Sequence, residues 1–249
     1  MPIFFHLPLF LHIMNLILLS PNDLLTDNRA CIKNPRQLAH IKQVHGATVG
    51  DQLKVGLING NLGIGLVTEL NDTAIYLDVD LHQAPPRALP LTLVLGLPRP
   101  KMMRRILQTV ATLGVKHLHL INSYRVEKSY WQTPFLEAEN IREQLILGLE
   151  QGCDTRLPEV HLHKRFKPFV EDELPAIVAD TRALVAHPYT ETACPCQIDY
   201  SLTLAVGPEG GFIPYEIDLL EKCSFEAVHV GERIMRVETA VPYLLGRLF

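Results

Sequence analysis

The spacing of hydrophobic positions changes near residue 85. In residues 14–84, short apolar runs are separated by glycine, asparagine and aspartate, which predicts a small β-barrel. In residues 89–249, apolar runs of strand length alternate with runs of helical spacing. Pro85 and Pro86 lie between them and disfavour regular structure. The pattern therefore predicts two domains joined at this point.

The second half has the order of an α/β protein. Strands followed by helices imply a mostly parallel sheet covered by helices on its faces. The expected elements are strands at 91–97, 115–121, 183–186, 202–206 and 227–230, and helices at 101–113, 137–151 and 214–223. In the first half we expect strands at 15–19, 52–57, 63–69 and 73–80, with a short helix at 38–44.

Residues 1–13 are almost wholly apolar. The run is short for a membrane span, and it lacks the basic start and small-residue cleavage site of a secretory signal. We interpret it as an extension upstream of the folded protein, with no role in a membrane.

Charge and cysteine content narrow the functional classes. A formal net charge of −4 argues against binding nucleic acid over the whole surface, although a local basic face is compatible with it. Five irregularly spaced cysteines do not form a disulfide framework, which favours a reducing, cytoplasmic setting. Cys194 and Cys196 have no second cysteine or histidine pair at zinc spacing, so we expect no metal.

Two glycine-bearing turns each follow a predicted strand. The first is Gly207-Pro208-Glu209-Gly210-Gly211, and the second begins at Gly231. Ligands of open α/β sheets bind at the carboxyl ends of strands, and glycine allows a ligand to approach the backbone. We therefore expect a side chain at Gly210 to enter ligand space. A turn without a ligand is the alternative, because neither a dinucleotide nor a phosphate-loop motif is present.

Arg233, Arg236 and Glu238 lie close together in the second segment, between apolar runs. Charged groups at this density are costly unless they are paired or used in function. A structural Arg236–Glu238 pair on a solvated loop is the alternative to a functional role.

The two segments resemble a known family. Gly207-Pro208-Glu209-Gly210-Gly211-Phe212 and Gly231-Glu232-Arg233-Ile234-Met235-Arg236-Val237-Glu238-Thr239-Ala240 are similar to RsmE-type 16S ribosomal RNA uridine N3-methyltransferases of the SPOUT class. Val230 and Met235 stand where the family has leucine. The similarity extends to residues 101–108, to Arg125, and to a front half that resembles the family's PUA-like barrel.

The resemblance implies a fold and an activity. The fold would be an α/β SPOUT domain with a trefoil-knotted, mostly parallel sheet and flanking helices, preceded by a PUA-like β-barrel that binds RNA. The protein would act as a homodimer and use S-adenosylmethionine to methylate N3 of a uridine in 16S ribosomal RNA or the 30S subunit.

The resemblance also implies site residues. Arg236 would stabilise the developing uracil anion, and Glu238 would orient the Arg236 side chain. The residues implied for the cofactor are His187, Gly207, Glu209, Gly210, Gly211, Val230, Gly231, Ile234, Met235, Thr239 and Ala240. Those expected to contact RNA are Lys101, Arg104, Arg105, Arg125 and Lys128.

Aromatic residues accompany some of the basic ones. Cations hold phosphates and aromatic rings stack on unpaired bases, although solvated faces have the same composition. The groups are 99–105, then Tyr124, Arg125, Lys128, Tyr130 and Trp131, then 163–167.

The chain departs from the family at positions expected to lie on the RNA side or behind the site. Gly46 and Asp154 each stand in place of an arginine of the family, and Thr112 stands in place of an acidic residue. Two alternatives to 16S uridine methylation follow: a non-catalytic RNA-binding or ribosome-assembly factor on the same fold, or a SPOUT methyltransferase for a different RNA site.

Overall fold

A computed structural model describes residues 16–249, so the prediction for residues 1–13 lies outside the described part. The chain forms two compact units. The first ends at Pro85 and also includes Cys153–Thr155, whereas the second comprises Pro86–Gly152 and Arg156–Phe249.

The first unit is a strongly curled six-stranded sheet in the order β1-β4-β5-β6-β3-β2. β1 pairs parallel with β4, and the other pairs are antiparallel. Register shifts between β5 and β6 mark bulges, which bend a sheet. Its elements are β1 (Ile17–Leu19), β2 (Leu24–Thr26), β3 (Arg29–Ile32), α1 (Pro35–Gln43), β4 (Gln52–Leu57), β5 (Leu62–Leu70) and β6 (Ile75–Gln83).

The core of this unit lies inside the curled sheet and is closed by α1. Ile41 of α1 is fully buried among strand residues such as Val55 and Leu77. The helix begins at Pro35 because the side chain of Asn34 accepts hydrogen bonds from the backbone N–H groups of Arg36 and Gln37.

Three residues from later in the chain complete the first unit. The carbonyl of Thr155 accepts a hydrogen bond from Asn59 N at 2.8 Å, and its hydroxyl donates to the Gly60 carbonyl at 2.5 Å. A Cβ on Gly56 would lie only 2.6 Å from the Thr155 methyl group. Glycine at position 56 therefore leaves the space that Thr155 occupies.

The second unit is a six-stranded sheet in which every pairing is parallel, in the order β12-β10-β11-β7-β8-β9. The predicted mostly parallel α/β sheet is confirmed. Its strands are β7 (Leu91–Gly96), β8 (His117–Ile121), β9 (Glu159–His163), β10 (Arg182–Ala186), β11 (Leu202–Val206) and β12 (Phe225–Val228). Its helices are α2 (Pro100–Thr112), α3 (Ala138–Gly152), α4 (Phe166–Pro168), α5 (Leu174–Val178), α6 (Pro214–Lys222) and α7 (Val237–Leu248), with a π-helical turn at Phe169–Glu173 and 3-10 turns at Lys128–Gln132 and Pro134–Leu136.

A row of imidazoles lies on one face of β8 and β9. The rings of His119 and His161 are stacked with centroids 4.8 Å apart, and His119 Nδ1 lies 3.0 Å from Nε2 of His163. His163 also contacts Glu173 at 3.4 Å, and its ring packs on Phe169. The sequence pattern predicted β8 but not β9, because Glu-Val-His-Leu-His has too few apolar positions.

Candidate functional site

Three loops at the carboxyl ends of neighbouring parallel strands enclose a cavity of about 300 Å³. They follow β10, β11 and β12, and they meet because parallel strands end at the same edge of the sheet. The cavity is lined by Arg125, Ala186, His187, Pro188, Tyr189, Val206, Gly207, Pro208, Glu209, Gly210, Gly211, Phe212, Val228, His229, Val230, Gly231, Arg233, Ile234, Met235, Val237, Ala240 and Leu244.

The loop after β11 turns tightly. Gly211 N donates to the Pro208 carbonyl at 2.7 Å, and Gly211 has a φ of +72°, which glycine adopts without strain. A Cβ on Gly207 would lie 2.9 Å from Phe212 N, within the turn itself. A Cβ on Gly96, at the end of β7, would clash with Pro208. Gly207 and Gly211 are therefore required by the backbone of the loop itself.

The loop after β12 holds a second glycine at positive φ. Gly231 has a φ of +117°, and a Cβ there would meet no atom within 4 Å. Its N–H donates to Nδ1 of His229 at 3.1 Å, which fixes the turn. Ile234, three residues on, is 72% exposed although it lines the cavity.

A loop after β8 and the helix α7 supply the remaining walls. The guanidinium of Arg125 donates to the Gly210 carbonyl. A buried carboxylate holds this loop in place, because Glu216, only 3% exposed, accepts hydrogen bonds from Tyr124 N at 2.8 Å and from Ile213 N at 3.0 Å. One carboxylate therefore joins the loop after β8 to the start of α6.

His187 presents a neutral imidazole to the cavity. Burial lowers its pKa, and the charge of Glu221 opposes that shift only in part. The ring meets Tyr189 edge to face, with centroids 5.7 Å apart.

Most of the residues that sequence reasoning assigned to the cofactor line this cavity. They are His187, Gly207, Glu209, Gly210, Gly211, Val230, Gly231, Ile234, Met235 and Ala240, whereas Thr239 does not line it. The side chain of Glu209 accepts a hydrogen bond from Arg99 N at 2.9 Å, so it also fixes the start of α2.

The two predicted catalytic residues lie beside the cavity, not in its wall. Arg236 precedes the first residue of α7, and Glu238 lies in the first turn of that helix. Within residues 16–249, their side chains form neither an ion pair nor a hydrogen bond with each other. The orienting role of Glu238 stays a prediction, and the structural-pair alternative has no support from a contact.

Several lining residues were not among those assigned to the cofactor. Arg233 lies in the loop 230–235, whose backbone the resemblance implied for the cofactor, but its side chain was not assigned a contact there. Tyr189 and His229 lie in or beside loops between short strands, where no spacing rule marks a ligand contact. Leu244 resembles an ordinary core position of α7, because an apolar cavity wall and a core have the same composition.

The residues predicted to contact RNA occupy two segments. Lys101, Arg104 and Arg105 are exposed on the first turns of α2, and Arg104 lies over the Phe135 ring at 5.8 Å. Lys128 begins the 3-10 turn that follows Arg125. Of these residues, the structure places Arg125 in the cavity wall.

The departure at Asp154 does not lie on an open RNA-facing surface. Asp154 is 3% exposed and belongs to the segment that packs in the first unit. Gly46, in contrast, lies in an exposed turn with a φ of +60°.

Two further findings concern other classes of site. Between residues 16 and 249 there is no group of three or more His, Cys, Asp or Glu side chains that could hold a metal ion. Over the same residues, every helix is too short or too polar to cross a membrane.

Residues 85–248 match the model of the RNA methyltransferase domain family. This match covers more than half of the chain, so the chain belongs to that family and is an RNA methyltransferase. Ribosomal RNA small subunit methyltransferase E of Treponema pallidum is 29% identical over 238 residues, covering 91% of this chain and 87% of the relative. Ribosomal RNA small subunit methyltransferase E 1 of Borreliella burgdorferi is 23% identical, and the match covers 91% of this chain and 94% of that relative. The resemblance to RsmE-type enzymes is thus confirmed.

Solved structures share the fold. The methyltransferase E of Neisseria gonorrhoeae, bound to S-adenosyl methionine, superposes with a TM-score of 0.72 at 20% identity, covering 93% of this chain and 95% of that one. The methyltransferase Lpg2936 of Legionella pneumophila, in complex with the same cofactor, superposes with a TM-score of 0.70 at 21% identity. The match covers 92% of this chain and 94% of that one.

Proposed function

We propose that this protein methylates N3 of a uridine in 16S ribosomal RNA of the small subunit, with S-adenosylmethionine as methyl donor. One observation carries the proposal. The loops after three parallel strands form a cavity largely of backbone and apolar side chains, in a chain of the RNA methyltransferase family.

The residues of the cavity fit this cofactor. Gly211 and Gly231 both line it, and the space beyond each is open for at least 4 Å where a side chain would stand. Apolar residues such as Val206, Phe212 and Leu244 suit the uncharged parts of the molecule. When bound, the cofactor supplies an electrophilic methyl group, and the protein positions the nucleophile and excludes water.

Cations near the cavity favour the nitrogen anion of uracil as its N3 proton is lost. We assign this role to Arg236, with Glu238 orienting it. Arg125 and Arg233 line the cavity itself, so each competes for the same role. His187 lines the cavity, and burial lowers its pKa, which favours the neutral imidazole that a proton acceptor requires.

Two measurements test the proposal. Calorimetry of the purified protein with S-adenosylmethionine should show saturable binding, and its absence would refute the cavity assignment. Mass spectrometry of 16S ribosomal RNA from treated 30S subunits should then show one new methyl group on N3 of a uridine. Binding without transfer would favour the alternative of a non-catalytic assembly factor. A methyl group elsewhere would favour the alternative of a SPOUT methyltransferase for a different RNA site.

We also propose that the second unit is a trefoil knot. The segment between β10 and β11 is hydrogen-bonded to the end of α7, which supports a chain path in which α7 passes through this segment. Gln197 N donates to the Arg247 carbonyl at 3.0 Å, and Ile198 N donates to the Leu248 carbonyl at 2.7 Å. Arg247 Nε donates to the Cys194 carbonyl at 2.9 Å. An experimental chain trace with α7 outside the segment would exclude the knot.

We assign the first unit to RNA binding as a PUA-like barrel. Its curled sheet and enclosed core support the assignment. A substitution such as Lys54→Glu on β4 should then weaken binding to 30S subunits while cofactor affinity is retained. Unchanged RNA affinity in a set of such charge reversals would refute it.

A homodimer in the cytoplasm completes the proposal. Ile234 and Tyr243 are exposed apolar residues just before and on α7, which supports a partner surface there. Light scattering should give twice the chain mass, and Tyr243→Asp should shift it toward the monomer. A monomeric wild-type protein at micromolar concentration would exclude the dimer. A ribosomal RNA substrate is the reason for placing the enzyme in the cytoplasm.

A further inference from the structure

Tyr124 has the largest exposed fraction, 80%, of any large apolar side chain that the structure describes. Its ring and hydroxyl form no hydrogen bond, ion pair or ring contact with another residue of the range 16–249. Water therefore surrounds this side chain, and covering its apolar surface would lower the free energy.

The backbone beneath this ring is held in place. Ser123 is 3% exposed, and Tyr124 N donates to the carboxylate of Glu216, which is also 3% exposed. The next residue, Arg125, donates to the Gly210 carbonyl. Because both neighbours and its own N–H are fixed, the Tyr124 ring is presented to solvent from an ordered loop.

The position of this loop selects the partner. Arg125 lines the cavity, so Tyr124 stands one residue from its wall. Arg125 and Lys128 supply positive charge within four residues of the ring. A flat aromatic ring beside cations is the arrangement that stacks on a base while phosphates are held nearby.

We propose that Tyr124 stacks on an unpaired base of the RNA substrate beside the cavity. This proposal rests on the proposed function. An enzyme that modifies a base must reach it outside the helical stack, and an aromatic surface offsets part of the free energy of unstacking. Tyr124 is then a substrate-binding residue that acts on the RNA and not on the cofactor.

The test compares Tyr124→Leu, which keeps apolar bulk without an aromatic face, with Tyr124→Phe, which keeps the face. The probe is a preparation of 30S subunits that lack the methylation. Tyr124→Leu should raise the Kd for these subunits and the KM in methyl transfer by about tenfold. Tyr124→Phe should stay within about twofold of wild type, because the hydroxyl has no partner. Cofactor affinity by calorimetry should not change in either variant.

Tyr215, on α6 and 52% exposed, provides a matched control as Tyr215→Leu. An equal loss in this control would overturn the proposal, as would wild-type binding by Tyr124→Leu or a full loss in Tyr124→Phe. Urea unfolding should match wild type for all three variants, since each side chain is exposed. If wild-type protein itself fails to bind S-adenosylmethionine, the proposed function fails, whereas the stacking proposal fails only on the comparison among variants.

Discussion

Arg125 fills the space that a side chain at position 210 would need. Its guanidinium donates to the Gly210 carbonyl, and a Cβ on Gly210 would lie 2.8 Å from the Arg125 Cδ. The expectation that a side chain at Gly210 enters ligand space therefore needs correction, because it first meets Arg125.

Gly210→Ala should displace Arg125 without unfolding the protein. The obstructing atoms are Arg125 Cδ at 2.8 Å and Cβ at 3.1 Å, so this side chain must shift, and the free energy of unfolding should fall by about 1 kcal/mol. Methyl transfer should fall roughly tenfold, because the wall of the site moves. Urea unfolding and initial rates measure the two effects.

A double-mutant cycle with Arg125→Ala provides the control. If Gly210→Ala acts by moving Arg125, the double variant should be no slower than the slower single variant. Additive losses would mean that the two residues act independently.

Glu216→Ala should lower the free energy of unfolding by about 2–4 kcal/mol, because two backbone donors lose their buried acceptor. Glu216→Gln should lose less, since its amide oxygen still accepts one of the two bonds. Glu221→Ala, at an exposed position of α6, is the control and should change stability by under about 0.5 kcal/mol. Equal losses at Glu216 and Glu221 would contradict the role of the buried carboxylate.

Gly231→Ala should destabilise the protein by about 1–3 kcal/mol although its side chain has room, because a φ of +117° is strained for alanine. Gly246→Ala is the matched control. That glycine lies in α7 with no atom within 4 Å of an added Cβ, so alanine should stabilise by about 0.4–1 kcal/mol. Thermal unfolding measures the stability of both variants. A Gly231→Ala variant as stable as wild type would show that the turn relaxes to accept alanine.

Arg236→Ala should slow methyl transfer more than it weakens cofactor binding. Single-turnover rates and calorimetry separate the two effects. Arg233→Ala serves as the comparison, since Arg233 lines the cavity. A larger loss of rate in Arg233→Ala would transfer the electrostatic role to that residue. A pure loss of cofactor affinity in Arg236→Ala would instead reassign Arg236 to cofactor binding.

The imidazole row should make stability depend on pH. Burial, together with the neighbouring His161, His163 and His117, holds the pKa of His119 at about 4, below its ordinary 6.5. Burial also lowers the pKa of His163, against the opposing charge of Glu173. Between these pH values the unfolded chain binds the additional proton, so stability should rise with pH and fall as pH decreases from about 6.5 to about 4.

Urea midpoints at about pH 4.5 and about pH 7 measure this slope. His119→Gln should reduce the difference between the two midpoints, whatever its effect on stability at neutral pH. An unchanged difference would assign the acid sensitivity to carboxylates elsewhere in the protein.

The sequence predicted the elements whose apolar periodicity is strong. α2 and β11 were placed to within a residue at each end, because their buried positions follow helical and strand spacing. β2, β3 and β9 were missed, since each is only three to five residues long. The predicted strand at 227–230 lies two residues earlier, at Phe225–Val228, because the apolar run continues into the loop that lines the cavity.

The candidate site, like the fold, could be predicted only in part from the sequence. Glycine and proline that come directly after a predicted strand indicate a turn, so the two loops could be predicted from sequence. Contacts across the fold could not: the pairing of Glu216 with Tyr124 joins residues 92 positions apart, and no local pattern encodes it.

The short segment Cys153–Thr155 makes the first unit discontinuous in sequence. A fragment that stops at Pro85 would lack Thr155 and would leave Asn59 N and the Gly60 carbonyl without these partners. The space beside Gly56 would also be empty. Domain exchange between relatives, or truncation in the laboratory, would therefore have to carry two pieces of chain together, and neither piece alone encodes the whole unit.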